Sequence, residues 1–139
     1  LVNVLQGGKL IQDLGVGNAR HKKEEADKEH TIITGHDTLL YEIAGSVSGH
    51  VNSAHHQAVD PDALGENLQV NACDEDDART NGSTGRQKII EGLELKNKTD
   101  KGFMLCVQWH PERMKDKEEN PFSKKIKERF LDEIRKVKK

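Results

Sequence analysis

Apolar positions in this chain come in short groups separated by long polar stretches, and only one segment sustains a helical period. Phe122, Ile126, Phe130, Ile134 and Val137 recur at helical spacing, and Leu131 widens the stripe. Asn120 before them is a good N-cap and Pro121 sits at the first helical position. Lysines and arginines crowd the far end, where they complement the helix dipole. Leu1 to Gln6 predicts a second helical piece, stopped by Gly7-Gly8. Thr38 to Ala44 predicts one or two further turns. Phe103 to Val107 is the one continuous apolar run, and such runs suit a central strand buried on both faces. The β-branched run within His30 to Thr34 predicts a short strand, as do the alternation Val47, Gly49, Val51, Ser53, the pair Leu68 and Val70, and Lys88 to Leu95. Lys9 to Leu14 is semi-apolar. Asn18 to Glu29 is almost wholly charged and predicts a surface loop, and Asp74 to Asp77 predicts an acidic one, joined by a polar stretch to Arg86. A strand-rich middle between helical ends predicts an α/β layered domain.

Composition narrows the class. The chain has 139 residues, which fits one domain. Its 22 Lys and Arg against 24 Asp and Glu leave a net charge of −2, so no strong field attracts nucleic acid or an anionic membrane. The apolar fraction of 33% and a mean hydropathy of −0.82 predict a small core with several solvated loops. There is no apolar stretch long enough for a transmembrane helix and no signal peptide. Cys73 and Cys106 form neither a disulfide framework nor a zinc pattern, which suits a reducing cytoplasm and makes the sequons at Asn81 and Asn97 chance matches. The chain opens on Leu1 without an initiator Met, as if inside a helix already begun. A fragment of a longer protein is expected.

The strongest candidate site is Gln108-Trp109-His110-Pro111-Glu112, directly after the apolar run. Ligands of open α/β sheets bind beyond the carboxyl ends of strands. Glu112 lies close enough to His110 to accept a proton from one ring nitrogen and fix the tautomer, which frees the other nitrogen as a general base. The bland alternative is a loop histidine near a solvated glutamate. His55-His56-Gln57 forms a second constellation. Adjacent residues of an extended chain point to opposite sides, so one imidazole could face a pocket while the other packs or meets solvent, and the pair is not expected to share a metal. His21, His30, His36 and His50 lack zinc-like pairing and read as ordinary, so no metal and no cofactor is expected. Cys106 lies within the apolar strand, and Cys73 borders an acidic run that raises a thiol pKa, so neither reads as a nucleophile. If His110 is a base, its partner is missing from the chain. Gly7-Gly8-Lys9 is no P-loop, Gly15-Val16-Gly17 lacks the third glycine of a dinucleotide site, and Arg79 stands where a calcium loop needs glycine.

Together these residues resemble the class I glutamine amidotransferase-like superfamily, in particular its gamma-glutamyl hydrolase branch with the bacterial gamma-glutamyl-gamma-aminobutyrate hydrolases. Leu1 to Leu14 looks like the helix and loop after that branch's nucleophile elbow. Val51 to Val59, VNSAHHQAV, is similar to its active-site loop, with Ala54 where a tyrosine is common. Cys106 to Glu112, CVQWHPE, resembles the superfamily signature around the catalytic histidine and glutamate.

The resemblance implies a flavodoxin-like layered α/β domain with a mostly parallel central sheet flanked by helices. Residues 1–139 would be its C-terminal part, without the N-terminal strands and nucleophile elbow. It implies a cysteine-histidine-glutamate triad that cleaves a gamma-glutamyl amide through a thioester, with His110 as base and then acid and Glu112 as its orienting partner. His55 and His56 would lie beside the substrate pocket. The polar insertion from Asp74 to Arg86 looks longer than the family's usual turn. The implied partner is a small gamma-glutamyl or glutamine substrate, with no nucleic acid and no membrane, and a homo-oligomer stays open. Two other readings remain: a glutaminase domain passing ammonia to a synthase, and a catalytically silent homologue kept for binding.

Overall fold

The computed structural model describes residues 1–76 and 89–138, and the polar stretch expected between Asp77 and Arg86 lies outside them. Its elements are α1 (Val2–Leu5), β1 (Leu10–Ile11), a 3-10 turn (Gly15–Gly17), α2 (Asn18–His21), β2 (Lys28–Thr34), α3 (Leu39–Ala44), β3 (Ser48–Ser53), β4 (Ala58–Val59), β5 (Leu68–Asp74), β6 (Ile90–Leu95), β7 (Leu105–Val107), a second 3-10 turn (Pro111–Arg113) and α4 (Pro121–Val137). One seven-stranded sheet runs β1-β4-β6-β5-β2-β3, with β7 paired to β6 beside this path.

Every ladder among the described residues is antiparallel, against the expectation of a mostly parallel sheet. Parallel neighbours need a crossover connection, whereas β6 turns back through residues 96–104 and lies antiparallel to β7, Gly92 opposite Val107 and Glu94 opposite Leu105. The apolar run is likewise no central strand. β7 holds only three half-buried residues and, among the described residues, pairs with β6 alone. Its apolar character still has a cause, because alternate residues serve two cores. Leu105 and Val107 pack against Ile32, Leu40, Val51, Trp109 and Phe122, whereas Met104 and Cys106 pack against Leu68, Ile90 and Leu93.

The α4 cap is as expected, since Phe122 N–H donates to Asn120 Oδ1 at 2.9 Å. Burial along the helix is not uniform. Phe122 is buried, but Phe130, Leu131 and Val137 are exposed, so the stripe covers the core only at its first turns. α3 ends at Gly45, whose left-handed φ of 70° suits glycine, and its N–H donates to Tyr41 O. Lys125 of α4 donates to Ala44 O at 3.0 Å and so joins the two helices at that end.

A buried carboxylate sets the other end of α3. Glu94 Oε1 accepts from Leu39 N–H, Gln69 and Lys98, each at 2.9 Å, and Oε2 accepts from Leu40 N–H and Asn71 at 3.3 and 3.2 Å. Burial pushes this carboxyl up, but the donors outweigh it and hold it below the ordinary range.

The charged stretch from Asn18 to Glu29 is more than a surface loop. It contains α2, and His21 at its end is fully buried. Asp74, expected in an acidic loop, is the buried last residue of β5.

Candidate active site and a buried histidine cluster

The turn after β7 is anchored from inside. Trp109 is buried, its ring lies edge-on to Phe122 with centroids 6.3 Å apart, and its Nε1–H donates to Phe122 O at 3.1 Å. With that side chain fixed, the next residue turns outward. The His110 side chain is 39% exposed, and its Nδ1 lies 3.0 Å from Glu112 Oε1. Pro111 opens the short 3-10 turn that brings Glu112 back beneath the ring.

The carboxylate accepts the Nδ1 proton, so the neutral ring keeps its lone pair on Nε2, as a general base requires. The backbone N–H of Glu112 and the His110 ring hold the Glu112 carboxyl below the usual range against slight desolvation.

A polar chain supports this pair. His110 N–H donates to Asn52 Oδ1 at 3.0 Å, Asn52 Nδ2 donates to Asp27 Oδ2 at 3.0 Å, and Arg113 Nε and Nη2 donate to both oxygens of Asp27 at 3.0 Å. Desolvation opposes ionisation of Asp27, but Arg113 and Asn52 outweigh it and keep its carboxyl low. From the α4 side, Ser123 Oγ donates to Pro111 O at 2.9 Å. Sequence reasoning missed Asp27, Asn52 and Arg113, because they lie far apart in the chain.

His55 and His56 diverge as expected of neighbours on an extended chain. His56 is exposed. It lines an open cleft of about 300 Å³ together with Leu10, Ala54, Gln57 and Gln108, so the cleft reaches the residue two before His110. His55 borders the same cleft but turns inward: its Nδ1 donates to Gln57 O at 2.8 Å, and its Nε2 lies 3.3 Å from Glu91 Oε1.

Inside, His55 meets two histidines that spacing left as ordinary. His21 Nδ1 and His30 Nε2 lie 3.3 and 3.2 Å from the same Glu91 oxygen, and His21 Nε2 lies 3.0 Å from Asp74 Oδ2. The His21 ring is 4.5 Å from that of His30 and 5.0 Å from that of His55, centroid to centroid. Burial, with the neighbouring imidazoles and Arg20, pushes His30 down to about 4, although Asp74 opposes the shift. The fold thus builds this group from α2, β2, the loop after β3, β5 and β6. One sequence signal was available: Glu91 and Glu94 interrupt an otherwise apolar strand, and a carboxylate there must find partners inside.

Cys106 is half-buried, and desolvation pushes its thiol up. His36 and His50 are exposed. No helix among the described residues is long and apolar enough to cross a membrane.

This α/β architecture is that of glutamine amidotransferase-type domains. A protein from Thermoplasma acidophilum, named by inference as belonging to a GMP synthase, superimposes with a TM-score of 0.52 at 12% identity, over 94% of this chain and 55% of that one. The glutaminase domain of Trypanosoma brucei CTPS with bound acivicin gives a TM-score of 0.51 at 14% identity, over 77% of this chain and 41% of that one. Residues 1–112 match the peptidase C26 family, and the chain belongs to it.

Two curated relatives are named by inference as a glutamine amidotransferase and a glutamine amidotransferase-like protein. The first, from Mycobacterium tuberculosis, is 36% identical over 119 residues, which is 84% of this chain and 33% of the relative. The second, from Lactococcus lactis, is 35% identical over 133 residues, 94% of this chain and 48% of the relative. The chain therefore spans less than half the length of these relatives.

Proposed function

We propose that this chain is the C-terminal, histidine-bearing part of a cysteine hydrolase that cleaves gamma-glutamyl amide bonds. The observation that carries the reading is the His110–Glu112 pair, with Nδ1 3.0 Å from the carboxylate and the ring half open to solvent. Membership of peptidase C26 supports a hydrolase or amidotransferase. The nucleophile would be a cysteine on an elbow preceding Leu1.

Nε2 of His110 takes the thiol proton of that cysteine, and the resulting thiolate attacks the gamma-carbonyl carbon and forms a tetrahedral oxyanion. The imidazolium of His110 then gives its proton to the departing amine, and a thioester remains. Nε2 next takes a proton from water, the hydroxide attacks the thioester, and glutamate and the thiol are released. Glu112 stabilises the imidazolium formed in each half. His56 and Gln108, which line the cleft that reaches the residue two before His110, would meet the glutamyl end of the substrate. The site is proposed to work in the cytoplasm.

The test uses the full-length protein and gamma-glutamyl amines with no partner added. Release of free amine that is lost in His110→Ala supports the reading. Activity that survives His110→Ala overturns it.

One second reading rests on an observation of its own, since two of the solved structures of similar fold are a protein of a synthase and a glutaminase domain. On that reading glutamine is hydrolysed only when a synthase is bound, and ammonia passes to it. Turnover without a partner excludes it. Absence of any turnover from the full-length protein, with or without a partner, would leave a binding homologue.

A further inference from the structure

Beneath the cleft lies a closed group of three imidazoles and two carboxylates for which the proposed hydrolysis has no use. Glu91 and His21 are fully buried, Asp74 is 1% and His30 7% exposed, and the His55 side chain is 9% exposed. Within this group Glu91 Oε1 and Oε2, His21 Nε2, His30 Nδ1 and Nε2, His55 Nε2 and Asp74 Oδ2 are buried and make no aligned hydrogen bond among the described residues. They nevertheless stand 3.0–3.3 Å from one another in the pairs His21–Asp74, His30–Glu91 and His55–Glu91.

The tautomers make this arrangement costly without an added positive charge. His55 Nδ1–H donates to Gln57 O, so in the neutral ring Nε2 is a lone pair facing the Glu91 carboxylate. The Ser53 hydroxyl gives its proton to His21 O, so Ser53 Oγ accepts from His21 Nδ1–H, and His21 Nε2 is a lone pair facing Asp74. Two lone pairs opposed to two buried carboxylates need either protons or a cation between them. Arg20 lies 3.1 Å from Asp74, but no arginine or lysine among the described residues pairs with Glu91.

A divalent ion meets these requirements with one particle. Neighbouring ligand atoms of a tetrahedral zinc with bonds of about 2.0–2.1 Å are about 3.3–3.4 Å apart, close to the separations around Glu91. Two triplets offer ligand atoms within 4.8 Å of one another, His21–His30–Asp74 and His21–His55–Glu91, and His21 belongs to both. The second nitrogen of His55 is already engaged by a backbone carbonyl, and with the ion on His21 Nδ1, which faces Glu91, its Nε2–H would donate to Asp74, 3.0 Å away; such outer contacts orient a metal-bound imidazole.

We propose that this cluster is a structural site for a first-row divalent cation, zinc in the first place, with His21 as the shared ligand and Glu91 as its principal carboxylate. Imidazole with carboxylate suits zinc among such ions, and a buried group for which the proposed hydrolysis has no use is structural rather than catalytic. The ion would join α2, β2, β5, β6 and the loop after β3, and would hold His55 beneath the cleft.

The experiment is elemental analysis of the untagged, full-length protein produced with zinc and desalted. We expect about one zinc per chain, a melting temperature that falls on chelation and recovers on zinc addition, and visible ligand-field bands after refilling with cobalt. His21→Gln and Glu91→Gln should each weaken zinc binding at least ~10-fold, while His36→Gln, at an exposed histidine, leaves it unchanged.

A wild-type protein without metal, whose melting temperature ignores both chelator and zinc, overturns the proposal in favour of a protonated network. So does zinc that stays in folded His21→Gln and Glu91→Gln. Should those variants fail to fold, the wild-type metal content, melting shift and cobalt spectrum decide.

Discussion

Asp27 grips Arg113 with both carboxylate oxygens at 3.0 Å, across a sequence separation of 86 residues, and the same carboxylate receives Asn52, which holds the backbone N–H of His110. The residue just before β2 thereby fixes the turn that carries the candidate base. Arg113 follows Glu112 directly, so freeing Arg113 loosens the turn that aims Glu112 at the ring. Asp27→Ala in the full-length protein is expected to lower kcat roughly 10- to 100-fold with little change in KM, because misplacing a base costs rate rather than ground-state binding. Steady-state kinetics on a gamma-glutamyl amine checks this. A KM effect with intact kcat would place Asp27 in substrate binding instead.

The His110–Glu112 contact gives a second expectation. Glu112→Gln removes the charge that stabilises the imidazolium while keeping the shape, and kcat should fall on the order of 10²-fold or more. The pH dependence has a definite sign. Because the Glu112 carboxyl is held below the usual range, its charge is present above that range and is lost only as pH falls through the lowered value. Any contribution of the Glu112 carboxyl to the acid limb of kcat/KM should therefore lie below the usual glutamate range and vanish in Glu112→Gln, which lowers the plateau. A pH–rate profile of both proteins decides.

Much of this was legible in the sequence, and the exceptions share a cause. The N-cap at Asn120, the strand around Ile32 and the approach of Glu112 to His110 are local, so spacing and capping chemistry predict them. Strand direction is not local. An apolar run such as 103–107 reads the same for a parallel central strand and an antiparallel edge strand that feeds two cores. His21 illustrates the same limit, since its polar neighbours predict solvent but α2 turns that one side chain into the interior. The histidine cluster and the Asp27 chain gather residues from distant segments, and a single sequence does not encode such pairings in any period.

Gly49 offers a test of packing. A Cβ built there would collide with the ring of Phe122, the first buried residue of α4, whereas one at Gly102 would meet nothing. Phe122 is fully buried beside Trp109, so the ring has little room to retreat. Gly49→Ala should destabilise the protein by about 1–3 kcal/mol, and Gly102→Ala should change it by about 0.5 kcal/mol or less. Urea denaturation of the two variants separates them. Because Trp109 precedes His110, Gly49→Ala should also reduce activity in proportion to the disturbance of that indole.

Glu94 carries the last prediction. Its carboxylate sits within β6 and takes five donors, two of them the first amide groups of α3, which the short helix cannot satisfy by itself. Glu94→Gln replaces an acceptor with a group that offers its own N–H to some of these donors, and the amides of Leu39 or Leu40 are then left unsatisfied. The expected loss is about 1–3 kcal/mol. Since folding holds this carboxyl below its unfolded value, the stabilisation is complete above the ordinary glutamate range and is lost as pH falls through the lowered folded value. Denaturation midpoints measured down an acid series should therefore converge for wild type and Glu94→Gln, the wild type losing the larger amount. A constant gap at all pH values would mean that the charge of Glu94 contributes nothing and that only its shape holds α3 to the sheet.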